Sequence, residues 1–383
     1  MKKLHISLWM AGNSGWMGGT IYTQNLARAI TSLPVKERAN IKLSVVCFSS
    51  NLNLVKPILS YVDQVYVYGK LYLKICHTLA ERLVLLPAQI FNPLKIDFLY
   101  PTYVGTRYPY LWGSWIPDFQ HHYFPEFFSK EEIDKRNILH KKISDSAPVI
   151  ILSSQMAQSD FHRLYPKAIA RTQVLNFISY IEPEYFEINP QIIQEKYGLP
   201  DSFFLISNQF WKHKNHALVI EALGILKKRK IYPTVVFTGS FYNKKNSAYF
   251  NQLVSRIKEL NLNKQVRILG LIPRVEQIQI MRRCLAVIQP SLFEGWSTVI
   301  EDARALGKPM LISDFSVHLE QNPPQAYFFE RYKPEQLALL ISEVLYHFQP
   351  GPNLEEENVA RKNNYFATQA YGRRLIEIVN NFR

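Results

Sequence analysis

Cysteine is scarce in this chain. Its 383 residues hold three, Cys47, Cys76 and Cys284, odd in number and set far apart. That spacing fits neither a disulfide framework nor a zinc knuckle and points to a reducing, cytoplasmic setting. Long apolar runs are missing as well: none reaches the roughly 18 to 20 residues of a membrane span. The opening Met1–Met10 has only a short apolar stretch, which contains His5 and Ser7, so it reads as a first buried strand rather than a leader. The chain has no internal repeat of fixed period, no low-complexity tract and no helix-turn-helix, RNP or zinc-finger pattern. Acidic residues are outnumbered, 31 against 45 Lys and Arg, leaving a net charge of +14. Such an excess would suit nucleic acid, an anionic membrane surface or an anionic ligand. The surplus is +6 over residues 1 to 190 and +8 over the remainder, so no basic arm concentrates it. The densest run, Leu226–Lys230, closes a predicted helix, where cations meet the negative end of the helix dipole. A nucleic-acid partner is therefore not expected.

What is present describes a globular enzyme. Hydrophobic residues make up 47% and charged residues 20%, and the length exceeds what one core usually supports, so two domains are expected. Strands alternate with helices, which predicts parallel sheets covered on both faces, an α/β class. In the first half the expected strands are Leu4–Met10, Ile41–Phe48, Ile96–Tyr100, Leu111–Ile116 and Val149–Leu152. The helices there are Thr20–Ser32 and Lys130–Ile143, the latter opened by a Ser129/Glu132 capping box. The second half gives strands Phe203–Ser207, Thr234–Thr238, Val266–Leu269, Leu285–Gln289 and Met310–Ile312, with helices starting near Asn215, Asn246, Arg274, Thr298 and Pro334. The pattern breaks at Asn176–Asn189, around Pro183. This predicts domains 1–182 and 183–383, with a terminal helix at about 365–383 able to pack back onto the first.

The chemistry concentrates in Pro290–Pro309. The apolar run Leu285–Gln289 is closed by Pro290, and the following helix is apolar on the Val299, Ala303, Leu306 spacing before Gly307-Lys308-Pro309 stops it. The loop between them carries Glu294, Gly295 and Ser297. A helix start presents unpaired N–H groups and partial positive charge, which suits a phosphate or pyrophosphate. Thr298-Val-Ile-Glu301 spells a capping box, so Thr298 is expected as N-cap with Glu301 turned back to the backbone.

This segment resembles glycosyltransferase family 4, the retaining nucleotide-sugar transferases of GT-B fold. The family signature, Glu-Gly-Phe-Gly with a second Glu eight positions after the first, then Ala and Gly-x-Pro, falls on Glu294, Gly295, Ala303, Gly307 and Pro309. Asp302 stands where the second Glu is expected. The resemblance implies two doubly wound Rossmann-like domains facing a central cleft. The first would bind the acceptor and the second the nucleotide sugar. Glu294 would hold the sugar, Asp302 the ribose, and Lys214 with the N–H groups after Trp296 the pyrophosphate. In Ser207–His216 the family supplies an Arg and a Lys five positions apart. Lys214 matches the Lys, Gln209 takes the Arg position, and Lys212 would compensate. Ser297, Thr298 and Val299, with Gly239 and Leu271 after two other strands, complete the implied donor set.

Other stretches follow the same resemblance. In Asn13–Thr20 the pair Gly18-Gly19 would let the backbone approach the donor diphosphate. The glycines there do not have the G-x-G-x-x-G spacing of a dinucleotide fingerprint. Where many family members have His-Asp this chain has Pro117-Asp118, leaving Asp118, His121 and His122 as candidates for catalytic, sugar or acceptor contacts, with Asp118 and His121 favoured. His121 and His122 are adjacent, but no third metal ligand stands at a supporting spacing. His213 and His216 read as cap and core residues. No Asp-x-Asp occurs, so the resemblance implies transfer without a metal or other cofactor, the nucleoside-diphosphate sugar being a co-substrate. Tyr66–Pro93, rich in Leu, Tyr and Lys, could form an amphipathic helix touching a lipid-linked acceptor or an anionic inner-membrane face; packing against the sheet is the alternative. The implied function is sugar transfer to a hydroxyl of a glycan or lipid-linked acceptor in polysaccharide assembly. A GT-B epimerase or sugar-phosphate enzyme is an alternative class, and a basic nucleic-acid-binding protein a remote one.

Overall fold

A computed structural model describes residues 3–12, 17–68, 92, 94–102, 108–241 and 247–382. The chain divides into two compact units. One joins Met1–Ile178 with Tyr365–Arg383, and the other is Ser179–Asn364.

The first unit is built on a seven-stranded sheet: β1 (Leu4–Trp9), β2 (Ile41–Phe48), β3 (Gln64–Tyr68), β4 (Phe98–Thr102), β5 (Leu111–Ile116), β6 (Val149–Leu152) and β7 (Arg171–Val174). Their order is β3-β2-β1-β4-β5-β6-β7, and every neighbouring pair is parallel. Central strands such as β6 are apolar along their whole length because both faces are covered. Ser129 caps the helix Lys130–Ser146 with the expected reciprocal box to Glu132. The final helix, Leu354–Phe382, passes out of the second unit after Asn364. In the first unit it buries Tyr371, Leu375, Ile378 and Val379. Gln369 donates to the Ser32 carbonyl at 2.9 Å, and a Cβ on Gly372 would lie 2.6 Å from the Ala29 carbonyl oxygen. Only glycine permits that approach of two helices.

The second unit has a six-stranded sheet: β8 (Phe204–Ser207), β9 (Val235–Thr238), β10 (Val266–Gly270), β11 (Val287–Gln289), β12 (Met310–Ser313) and β13 (Ala326–Phe329). The order is β10-β9-β8-β11-β12-β13, again all parallel. Alternation along β8 sends Phe204 and Ile206 into one core cluster and Phe203 and Leu205 into another. The sheet is thus covered on both sides. A buried ion pair, Arg282 Nε to Glu357 Oε1 at 2.6 Å, ties the helix Arg274–Arg283 to the start of the final helix. Arg282 also donates to the carbonyls of Tyr185 and Ile188, holding the segment that opens the unit.

Three strands are absent from the sequence reading: β3, β7 and β13. All are sheet edges. β7 begins Arg-Thr-Gln and so lacks an apolar run, whereas β3 and β13, only five and four residues long, are too brief to stand out although largely apolar. The fourth edge, β10, matches the expected Val266–Leu269. Two glycines also sit differently from expectation. Gly18 and Gly19 lie in the first turn of the helix Met17–Thr31, not in a loop before it; residues 13–16 lie outside the described residues. Most of Tyr66–Pro93, the expected amphipathic segment, also lies outside them, Tyr66 to Tyr68 being the end of β3.

Candidate functional site

In the second unit the strand order reverses between β8 and β11. Chain connections leave this point in opposite directions, so a crevice opens at the carboxyl ends of the two strands. The loops that follow them are tied together. After β8 the chain makes a short 3-10 turn, Lys212–Lys214, and reaches Asn215 in the left-handed region at φ 56°. The Asn215 amide donates to the carbonyls of Pro290 (3.2 Å) and Arg331 (3.0 Å). Leu292 N–H donates to the His213 carbonyl at 2.8 Å. Behind them His216 is fully buried and stacks on Phe210 at 4.5 Å. Burial pushes its pKa down to about 3, so it is a neutral core residue, and His213, also buried, is held neutral for the same reason.

Lys214 and Glu294 meet across this seam. Lys214 Nζ lies 2.6 Å from Glu294 Oε1, with the side chains 14% and 9% exposed. Glu294 Oε1 accepts a second bond, 2.8 Å, from Gln289 Nε2. Gln289 Nε2 also reaches Ser291 Oγ at 3.0 Å, and Gln289 Oε1 accepts from Asn208 Nδ2 at 2.7 Å. Asn208, Gln289, Ser291 and Glu294 are all buried. Gln209, in the position expected for a cation, is half-buried, and Lys212 is exposed. Gly239 has φ 138°, and a Cβ there would fall 2.1 Å from the Asn208 carbonyl oxygen. Its glycine lets the β9 loop press on Asn208. Leu271 is 78% exposed.

Glu294 is followed by half-buried Gly295 and Trp296. The cap of the helix Thr298–Ala305 differs from expectation by one residue: Ser297, not Thr298, is the N-cap, and its side chain accepts from Ile300 N–H. The neighbouring helix Ser316–Gln321 explains the register. Gln321 grips Ser297 by both backbone groups, accepting from its N–H and donating to its carbonyl, each at 3.1 Å. Gln321 also donates to Glu301 Oε1 at 2.9 Å. Glu301 is therefore drawn to Gln321 and to Arg304, at 3.3 Å, rather than back to the cap. Burial, helped by nearby Asp302, raises its pKa. Val299 is buried and Thr298 half-buried.

Asp302 is engaged inside the protein. Arg274 grips it with two parallel bonds of 2.5 Å, Nη1 to Oδ2 and Nη2 to Oδ1. Ser179 Oγ donates to Oδ1 as well. The carboxylate expected on a ribose thus has both oxygens occupied. Arg274, Ser179, Gln289, Asn208 and Gln321 escaped the sequence reading. Gln289 appears there only as the polar end of an apolar strand, Arg274 only as a helix start, and Asn208 only inside the Ser207–His216 stretch.

Two further candidates, Asp118 and His121, belong to the first unit. Asp118 Oδ1 accepts from Gln120 N–H at 2.9 Å, two residues ahead of it in the turn that leads into the short helix Gln120–Tyr123. His121 is buried, with Nε2 3.0 Å from Asn137 Oδ1 and its ring 5.4 Å from His140. Burial lowers its pKa to about 4. Expected to touch sugar or acceptor, it occupies the interior instead. Among the described residues no three His, Cys, Asp or Glu side chains are arranged to hold a metal ion.

Known proteins share this design. Residues 190–357 match the model of a family described as Glycosyl transferases group 1. A putative glycosyltransferase of Bacillus subtilis (strain 168), EpsF, is 29% identical over 139 residues, covering 35% of this chain. The match spans about a third, 34%, of that relative's length. Among solved structures, Anabaena HepE in complex with UDP and glucose superposes with a TM-score of 0.64 at 16% identity, covering 99% of this chain and 100% of that one. Sucrose-phosphate synthase from Thermosynechococcus elongatus gives 0.67 at 14%, covering 99% of each chain. At these identities the likeness shows the fold, which is GT-B: two doubly wound α/β units. Among the described residues no helix is long and apolar enough to cross a membrane.

Proposed function

We propose that this chain is a retaining glycosyltransferase that moves a hexosyl group from a nucleoside diphosphate sugar to a hydroxyl of a glycan or lipid-linked acceptor, without a metal ion. The observation that carries this reading is the contact between Lys214 and Glu294, 2.6 Å, at the β8/β11 switch point. A cation and a carboxylate side by side there suit the two ends of such a donor. In the reaction the bond from anomeric carbon to diphosphate breaks and the diphosphate leaves with the electron pair. The acceptor oxygen bonds to the same carbon, and its proton passes to the departing phosphate oxygen. Negative charge builds on the diphosphate, where Lys214 and the start of the helix Thr298–Ala305 supply fixed positive potential. Ser297 N–H is committed to Gln321, so the N–H groups of Thr298 and Val299 are the ones left for phosphate. Glu294 accepts hydrogen bonds from the sugar hydroxyls.

The group 1 match and the UDP and glucose named with Anabaena HepE make UDP-glucose the first donor to try. The test follows release of nucleoside diphosphate from a panel of donors, with the anomeric configuration of the product read by NMR. The expected result is turnover of one donor with retained configuration, unaffected by EDTA. An inverted product, or inhibition by EDTA that Mg²⁺ restores, overturns the mechanism. Failure of every donor to bind overturns the function.

A further inference from the structure

With Gln209 uncharged, Lys214 faces two anions in the proposed function, Glu294 and the donor diphosphate. One ammonium held by a buried carboxylate is a poor partner for a phosphate unless that carboxylate has another hold. The structure provides one. A carboxylate only accepts, so Gln289 must turn Nε2 toward Glu294 and Oε1 away from it, where Asn208 Nδ2 donates at 2.7 Å. The amide orientation is thus fixed from both sides, and Gln289 and Asn208 are buried. Both donors, Lys214 and Gln289, fall on Oε1, while Oε2 takes no hydrogen bond from the described residues.

We propose that Gln289, oriented by Asn208, is a positioning residue that holds Glu294 in place when Lys214 turns to the diphosphate. The neutral amide keeps the carboxylate's geometry without competing for the phosphate's charge, and Oε2 stays available for a sugar hydroxyl. The inference rests on the glycosyltransferase reading, and the experiment separates the two.

Three variants and the full-length parent are compared in donor turnover against pH, UDP affinity by calorimetry and thermal unfolding. Gln289→Met keeps the shape and removes the donor. It is expected to lower kcat about 10- to 100-fold with UDP affinity changed less than about threefold. The acid limb of the kcat profile should move up by about 1 pH unit, because a carboxylate that loses a hydrogen bond takes up a proton more readily. Gln289→Glu restores a donor only when protonated, so its activity should recover as pH falls, opposite to the Met variant. Should Gln289→Met fail to fold, Asn208→Asp reports the same thing. It sets an acceptor against Gln289 Oε1, turns the amide over, and moves the acid limb in the same direction. If the parent transfers sugar while the folded variants keep its kcat and its acid limb, Gln289 is only a satisfied core amide and the proposal falls. A parent that binds no nucleotide overturns the glycosyltransferase reading instead.

Discussion

Glu294 and Asp302, eight residues apart, one in the loop and one within the helix that follows it, are both buried carboxylates paired with cations, yet they are paired differently. Lys214 touches one oxygen of Glu294 as a point charge. Arg274 closes over both oxygens of Asp302 as a fork, with Ser179 filling in. A lysine contact can be exchanged for another anion with little rearrangement, whereas a bidentate arginine pair must be broken in two places. The first arrangement leaves a carboxylate ready for a ligand. The second turns one into a fastening.

The comparison can be broken at either end. The largest effect is expected for Lys214→Ala: turnover should fall on the order of 10²- to 10³-fold, as for loss of one preorganised partner of the transition state, a loss beyond what the stability given up by leaving Glu294 with Gln289 alone would explain. Near-parental turnover would show that the Lys214 contact is structural after all. Arg274→Ala should do the reverse. Leaving Asp302 buried and unpaired costs about 3 kcal/mol, the lower end for such pairs, because the Arg274 side chain is 31% exposed. Urea unfolding measures this, and Asp302→Asn should likewise show more in stability than in nucleotide affinity. A variant of full stability that has lost nucleotide would return Asp302 to the ribose.

Smaller changes sharpen the picture between the two carboxylates. Ser297→Ala removes the observed cap and should cost about 1 kcal/mol, whereas Thr298→Ala should cost less than about 0.5 kcal/mol. Equal costs in chemical denaturation would contradict the cap assignment. The smallest effect is a slope. Burial holds the Glu301 carboxyl above its ordinary 4.5, so the folded chain binds that proton more readily than the unfolded chain. Its contribution to stability is full below about pH 4.5 and is lost as pH rises through the raised value. Glu301→Gln should flatten stability against pH in that window and leave nucleotide binding almost unchanged. An unaltered slope would show that Glu301 does not titrate there.

Central strands were legible because they are apolar end to end: Val149–Leu152 could hardly be anything else. The edge strand Arg171–Val174 was not, since three of its four residues are polar. Lys214 and Glu294 were legible from spacing within their own loops, but their meeting spans 80 positions and depends on β8 and β11 becoming neighbours. The partners of Asp302 lie 28 and 123 positions away, beyond any local pattern. The cap failed for a nearer reason. Ser297 and Thr298 are both good caps, and Gln321, a residue from another helix, decides between them.

The last helix belongs to two masters, and this sets an order of events in synthesis. The Ser179–Asn364 unit is one continuous stretch and needs no residue outside that stretch to complete its core. The first unit, though begun at residue 1, lacks Tyr371, Leu375, Ile378 and Val379 until Tyr365–Arg383 emerges. Its earliest strands wait longest, with apolar surface uncovered in the interval when chaperones and proteases act. The part made first is finished last.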